Sequence, residues 1–186
     1  MAATKSLRGQ LLLDAGDLGG SFFARSVVLI CQHDAEGAFG LVLNNDSGRL
    51  FGDVVTADLP ERLRNHPVFL GGPVQPTAMS YLVSDDFLPE ANVMPNLQLG
   101  HALEDLIELG GSFSQTQKLR MFAGYSGWGP GQLEGELKRG SWLVMPATLE
   151  VVFDPEPARL WSRLIRKRGG WRNAILSQLP PDPSLN

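Results

Sequence analysis

The sequence predicts an α+β fold: one strand-rich domain in which short strands come in runs and helices are inserted late. Three observations predict it. The stretch SVVLICQHDAEGAFGLVLNN holds two apolar runs, VVLICQ and FGLVLN, around the turn signal DAEG, which is the pattern of a hairpin. The chain carries 21 glycines and 13 prolines in 186 residues, above ordinary usage, so many turns separate its elements. Clear helical spacing appears only from residue 101 onward, without the strict strand–helix alternation of a doubly wound sheet.

The elements follow in order. QLLLD at 10–14 reads as a first strand, and VVLICQ with FGLVLN as the hairpin, Gly37 supplying a positive φ at the turn. After a polar connection, HPVFLGGPVQP gives a short buried strand stopped by Gly71, Gly72 and Pro73, and MSYLVS gives another. HALEDLIELGG places Ala102, Leu103, Leu106 and Ile107 at helical spacing, with Gly110 where a C-terminal cap would stand. KLRMFAGY is a strand running into a glycine-rich loop at 124–132. Pro130 stands where a short helix would start, Leu133 and Leu137 share its face, and Gly140 stops it. SWLVMP and TLEVVF read as strands. The best-specified helix lies in DPEPARLWSRLIRKRGG, with Asp154 as N-cap, Pro155 in the first turn, Leu160, Trp161, Leu164 and Ile165 as its buried stripe, and Gly169 as its stop. One domain is expected over residues 1–178, with the Pro-rich tail 179–186 (LPPDPSLN) disordered.

A net charge of −4 with 43% hydrophobic and 19% charged residues is ordinary for a soluble globular protein and argues against a general nucleic-acid or anionic-membrane binder. The basic run RLIRKRGGWR is the one place a nucleic-acid reading could start. Its cations fit better as the solvated face and last turn of a helix, so no sequence-specific nucleic-acid binding is expected. Cys31 is the only cysteine and sits in an apolar run, which points to a buried strand residue in a reducing compartment. The apolar run near the N-terminus is three leucines long, too short for a signal peptide, and no stretch reaches the length of a membrane span. The expectation is a cytoplasmic protein.

The stretch GYSGWGPGQLEGEL, residues 124–137, invites a catalytic reading. Ser126 stands in G-Y-S-G-W, yet a nucleophile elbow needs a small residue where Trp128 is, and a helix at once where Pro130 and Gly131 intervene. A phosphate cradle is disfavoured as well, since neither glycine-rich fingerprint is present and Glu134 and Glu136 would compete with an anion. The favoured reading is a sharp structural turn with Trp128 packed beneath it and Gly127 in a backbone state easy only for glycine. A binding surface is expected where this turn, the Gly-Gly-Pro-Val turn and the His33 end of the hairpin converge. Its candidates are His33, Gly71, Gly72, Pro73, Gly124, Tyr125, Ser126, Gly127, Trp128, Gly131 and Gln132, facing a small-molecule or protein partner. The competing reading is a hydrolase-like enzyme with His33 as base and Asp34, Glu36 or Ser126 nearby. His33, His66 and His101 form no ligand pair, so neither a metal nor a cofactor is expected.

Several segments, VVLICQHDAEGAFGLVLN, FLGGPVQP, FAGYSGWGPGQLEGEL, SWLVMPA and VVFD before a tryptophan-bearing helix, resemble in order the AlgH/YqgE family of small bacterial proteins. The resemblance spans about residues 8–170. It implies a split, strongly curved sheet forming a pseudo-barrel with helices outside, in a family described as transcriptional regulators. It implies no reaction, so no catalytic residue is carried over. The chain departs from the family pattern at DAGDLGGSFFARS, at NND where Asn-Arg-Pro is usual, and at Ser84 where histidine is common.

Overall fold

Alternation of side chains along the first strands sets the architecture, because the sheet they build is buried on both faces. The computed structural model describes residues 5–86, 88–112 and 117–179, without the side chains of Ser112 and Trp171. Strand β1 (Gln10–Asp14) lies between β2 (Val27–Asp34) and β9 (Trp142–Pro146), antiparallel to both. Strand β3 (Gly37–Val42) closes the expected hairpin with β2. Leu11, Leu13, Val27, Leu29 and Leu41 point into one core, while Leu12, Val28, Ile30 and Val42 point into another. That period of two is what a doubly covered strand requires.

The second half of the sheet gathers around the long strand β8 (Lys118–Trp128). It takes β5 (Pro67–Leu70) in parallel and β6 (Val74–Ser84) antiparallel, while β4 (Asp46–Leu50) edges β5 and β7 (Leu97–Gly100) edges β6. Among the described residues seven strands therefore form one path, β4-β5-β8-β3-β2-β1-β9, open at its ends, and β6 with β7 branches from it at β8 to complete a nine-stranded sheet. The split agrees with the expected curved sheet, although the ends do not pair and no barrel closes.

Helices cover both sides. Helices α1 (Phe51–Val54), α2 (Glu61–Arg64) and α3 (Leu103–Ser112) pack over Val68, Tyr81, Val83 and Met121. Helix α4 (Gln132–Lys138) lies over the Trp128–Trp142 core. Helices α5 (Leu149–Val152) and α6 (Pro157–Arg168) cover the other face, and α7 (Trp171–Leu176) follows α6. The stripe Leu160, Trp161, Leu164 and Ile165 is buried as its spacing predicts, and Gly169 ends the helix.

Five expectations are corrected. TLEVVF is a helix, because Pro146 ends the β1–β9 ladder and Thr148 caps the next turn, its hydroxyl accepting the Val151 N–H at 3.3 Å. Gly110 lies inside α3 as a packing position, since a Cβ there would meet Leu63 Cδ1 at 2.9 Å. Residues 124–128 are the end of β8 and not a loop, because Ser126–Trp128 pair with β3 and Tyr125 with Val74 of β6. Helix α4 starts at Gln132, after Gly131 in the left-handed region, and not at Pro130. Helix α6 is entered through Glu156 and Pro157, while Asp154 accepts the Glu156 N–H at 2.8 Å before it. Strands β4 and β7 and helices α1, α2 and α7 have no counterpart in the sequence reading. Of the tail at 179–186, only Leu179 falls among the described residues.

Asp154 is also paired with Arg163. Burial raises its pKa, but the Arg163 hydrogen bond, the Glu156 N–H and the charges of Arg163 and Arg120 outweigh it, so the carboxyl sits below its ordinary value of 3.8. A folded-state value below the unfolded one stabilises the fold at neutral pH, and that contribution is lost as pH falls below the ordinary carboxylate range. Asp154→Asn is expected to flatten the acid limb of a stability–pH curve measured by denaturant titration, leaving the shape above pH 5 unchanged.

Candidate functional site

The two glycine-rich segments meet, and sheet geometry explains why they must. Strand β5 enters as a wedge between β3 and β8: the Val42 N–H donates to Gly71 O at 2.9 Å from one side, and the Gly71 N–H donates to Ala123 O at 2.9 Å on the other. Beyond the wedge, β3 pairs directly with β8, Gly40 opposite Ser126 and Ala38 opposite Trp128. The chain leaving β5 must reach the far edge of β8 to start β6, so it crosses over β8 at Gly124 and Tyr125. Gly72 makes that crossing possible: a Cβ there would lie 2.0 Å from the Tyr125 carbonyl carbon. Gly124, at φ +69, turns β8 beneath the crossing, and a Cβ there would meet Gly72 O at 2.5 Å. Gly127, for which a special backbone state was expected, has no positive φ; Gly124 holds that role.

Ser126 is fully buried, and its hydroxyl donates to Gly71 O at 3.0 Å, a second clasp on the wedge. Trp128 is 6% exposed, packed with Phe23 and Trp142. Its Nε1–H and that of Trp142 donate to the same Glu136 oxygen, at 2.9 and 2.8 Å. Gln132 donates to the other oxygen at 3.1 Å and accepts the Gly129 N–H at 3.1 Å. Glu136 therefore ties β8, β9 and α4 together. Indole N–H groups buried in an apolar cluster need an acceptor, and a carboxylate with two oxygens can serve two of them plus an amide.

His33 lies elsewhere. Its Nδ1 accepts the Leu7 N–H at 2.9 Å, which assigns the proton to Nε2, and Nε2 donates to Glu134 Oε1 at 2.9 Å. The Glu134 carboxyl is held below its ordinary value, first by its own backbone N–H and further by His33 against the opposing cost of burial. His33 stands opposite Ala38, which stands opposite Trp128, so its backbone is two strands from β8 and roughly 10 Å or more from that of Ser126. Both ring nitrogens are engaged. Asp34 accepts the Glu36 N–H at 2.8 Å, and Glu36 is exposed at the turn. His33 and Ser126 are thus not brought together. Cys31 is buried, which pushes its thiol pKa up and keeps it protonated. Among the described residues no group of three or more metal-ligating side chains occurs.

What does gather at the crossing is aromatic. Phe39 stacks on Tyr125 with ring centroids 4.9 Å apart and 26° between planes, and exposed His101 meets Phe39 edge-on at 5.9 Å. Both stacked rings are half-buried. Beside them β6 breaks register between Val74 and Met79, so residues 74–77 stand out as an exposed arch, with Gln75 at φ +45. Of the sequence candidates, Gly71, Gly72, Pro73, Gly124, Tyr125 and Ser126 converge here; Gly131 and Gln132 lie at the start of α4. Phe39 and His101 were missed because each comes from a distant segment, and only the β3–β8 register brings Phe39 to Tyr125.

Comparison with known proteins places this arrangement. The AlgH-like family model matches residues 11–173. A UPF0301 protein of Chlamydia caviae is 38% identical over 182 residues, covering 96% of this chain and 95% of its own length. A UPF0301 protein of Myxococcus xanthus is 38% identical over 169 residues, covering 89% and 92%. The solution structure of the AlgH protein from Pseudomonas aeruginosa aligns with a TM-score of 0.73 at 26% identity, over 97% of this chain and 98% of that one. A crystal structure from Corynebacterium diphtheriae shares the fold with a TM-score of 0.76 at 24% identity, over 96% and 95%. With the family model spanning most of its length and relatives matched over most of theirs, the chain belongs to the AlgH-like family.

Proposed function

We propose that the protein is a binding or regulatory module without chemistry of its own, and that it presents the Phe39–Tyr125–His101 cluster and the adjoining arch to a small-molecule or protein partner. The observation that carries this reading is the stacked, half-buried ring pair bordered by an exposed, strained backbone segment. Flat aromatic area costs little conformational entropy to fix and is favoured where partners dock. A non-glycine residue at positive φ is retained where the surroundings hold it, often at ligand clamps. The groups that would supply a reaction are instead engaged within the fold: Ser126 on Gly71, and His33 between Leu7 and Glu134.

The partner is not sequence-specific nucleic acid on this reading, since Arg163 pairs with Asp154 and Glu156 and Arg168 donates to Val144 O. Among the described residues no helix is long and apolar enough to cross a membrane. A single buried thiol suits a reducing compartment, and we take the cytoplasm as the site of action. The test is a thermal-shift screen of the full chain against metabolites and nucleotides, repeated with Tyr125→Ala. A ligand at 100 times its Kd adds about 2.7 kcal/mol of stability. The expected result is a shift in the parent that Tyr125→Ala removes; a shift that survives Tyr125→Ala contradicts the assignment of this surface.

A further inference from the structure

Beside the aromatic crossing, a pocket of about 100 Å³ opens between α1, the start of α3 and strands β6 and β8. Phe51, Val55, Met79, Leu103, Leu106 and Met121 give it apolar walls, and exposed His101 and Ala102 stand at its rim. His101 also meets Phe39 edge-on, so the pocket adjoins the aromatic cluster. No lysine or arginine occurs among the described residues that line it.

Two features mark the pocket as built around the phenol of Tyr81. The first is Gly100, which faces Tyr81 across the β6–β7 ladder. A Cβ at Gly100 would lie 2.2 Å from Tyr81 Cζ and 2.4 Å from its hydroxyl oxygen, so glycine is what lets the ring lie across β7. The period of two along β6 places Tyr81 with Met79 and Val83 under the helices, and turns Ser80 to the other face with Leu82. The second feature is the hydroxyl itself. Tyr81 is 5% exposed, and no protein group among the described residues hydrogen-bonds its O–H. A buried Tyr O–H usually finds a partner, so this one is a donor awaiting an acceptor. Burial pushes the phenol's pKa above its ordinary value of 10.0, and the charge of Asp105, in the first turn of α3, pushes it the same way, so the group is protonated at neutral pH and able to donate.

We propose that this pocket binds a small uncharged organic molecule, its aliphatic body against Leu103, Leu106 and Met121 and a carbonyl or hydroxyl oxygen accepting the Tyr81 O–H. The volume lies below the roughly 300 Å³ at which pockets for whole metabolites begin, and it suits a body of about four to six heavy atoms. An anionic ligand is disfavoured, because the Asp105 charge repels it and no lysine or arginine among the described lining residues offsets its desolvation. The pocket stands on its own walls and holds whether or not the Phe39–Tyr125 surface takes a partner.

The test is an amide chemical-shift titration of the full chain with cyclopentanone, with isobutyrate as an anion of like size and adamantanone as a ketone too large to enter. Saturable shifts centred on residues 51–55, 79–81, 101–106 and 121 are expected with cyclopentanone, at least about tenfold tighter than with isobutyrate, and none there with adamantanone. Tyr81→Phe keeps the ring on Gly100 and removes no hydrogen bond within the described fold, so it is expected to keep the parent's melting behaviour while weakening cyclopentanone binding about fivefold, the loss of one neutral hydrogen bond. Ala102→Leu, at an exposed position, is expected to fill the mouth and abolish binding, and it decides the matter if Tyr81→Phe fails to fold. Cyclopentanone shifts that do not saturate or that centre elsewhere, isobutyrate bound as tightly, adamantanone bound at the same residues, or binding indifferent to either substitution overturns the proposal.

Discussion

Trp128→Ala is expected to lower the unfolding free energy by about 3–5 kcal/mol, the range for truncating a buried aromatic side chain. The indole is 6% exposed and lies among Phe23, Trp142, Leu133, Leu12 and Val28, which come from the pre-β2 segment, β9, α4, β1 and β2. These are backbone-anchored neighbours that cannot collapse into the space it leaves. Truncation also removes one of the two indole donors on Glu136, which keeps Trp142 and Gln132 as partners, so the loss comes chiefly from the cavity. The denaturation midpoint of Trp128→Ala beside the parent checks this, with the slope unchanged if the transition stays cooperative. A midpoint close to the parent's would mean that Trp128 faces a partner and not the core.

Gly72→Ala is expected to cost more, because no side chain can yield to the added methyl. Its Cβ would lie 2.0 Å from the Tyr125 carbonyl carbon, 2.1 Å from its oxygen and 2.3 Å from the Ser126 nitrogen, all backbone atoms of β8. Relief requires β5 and β8 to separate, which breaks the Gly71–Ala123 bond and the Ser126 clasp together. Each lost partner leaves a buried polar group unsatisfied at about 1–3 kcal/mol, before any strain is counted. The expected outcome is a chain that expresses without a cooperative unfolding transition. Gly131→Ala serves as the control. Its Cβ would meet nothing within 4 Å, so only the strain of a left-handed residue applies, about 1 kcal/mol.

The elements legible in the sequence were those whose burial follows a period. Leu11 to Leu13, the β2–β3 hairpin and the α6 stripe bury one or both faces regularly, so spacing alone marks them. DSGRL and LQLG are short edge strands, and FGDV, ERLR and WRNAIL are helices of six residues or fewer, too short to show a period. TLEVVF carries β-branched residues yet folds as a helical turn, because the Thr148 cap and the proline before it act locally where propensity is weak. At the site, the sequence marked the glycines and the buried Trp128. It could not show that Gly71 and Gly72 are the counterpart of Gly124, since that pairing comes from the wedge of β5 between β3 and β8. The double load on Glu136 likewise depends on side chains that the fold brings together from β8, β9 and α4.

The glycine-rich stretch is a fixed crossing of the sheet and not a mobile loop. Native-state hydrogen exchange at Val42 and Gly71 probes that rigidity at its source, because their N–H groups are the two donors at the wedge. Both amides are expected to exchange only through global unfolding, with opening free energies that fall with denaturant at the full slope, while Gln132, bonded to Gly129 at the exposed start of α4, opens locally. If Val42 and Gly71 instead exchange through small, denaturant-independent openings, the crossing is mobile and the wedge does not hold the two glycine segments together.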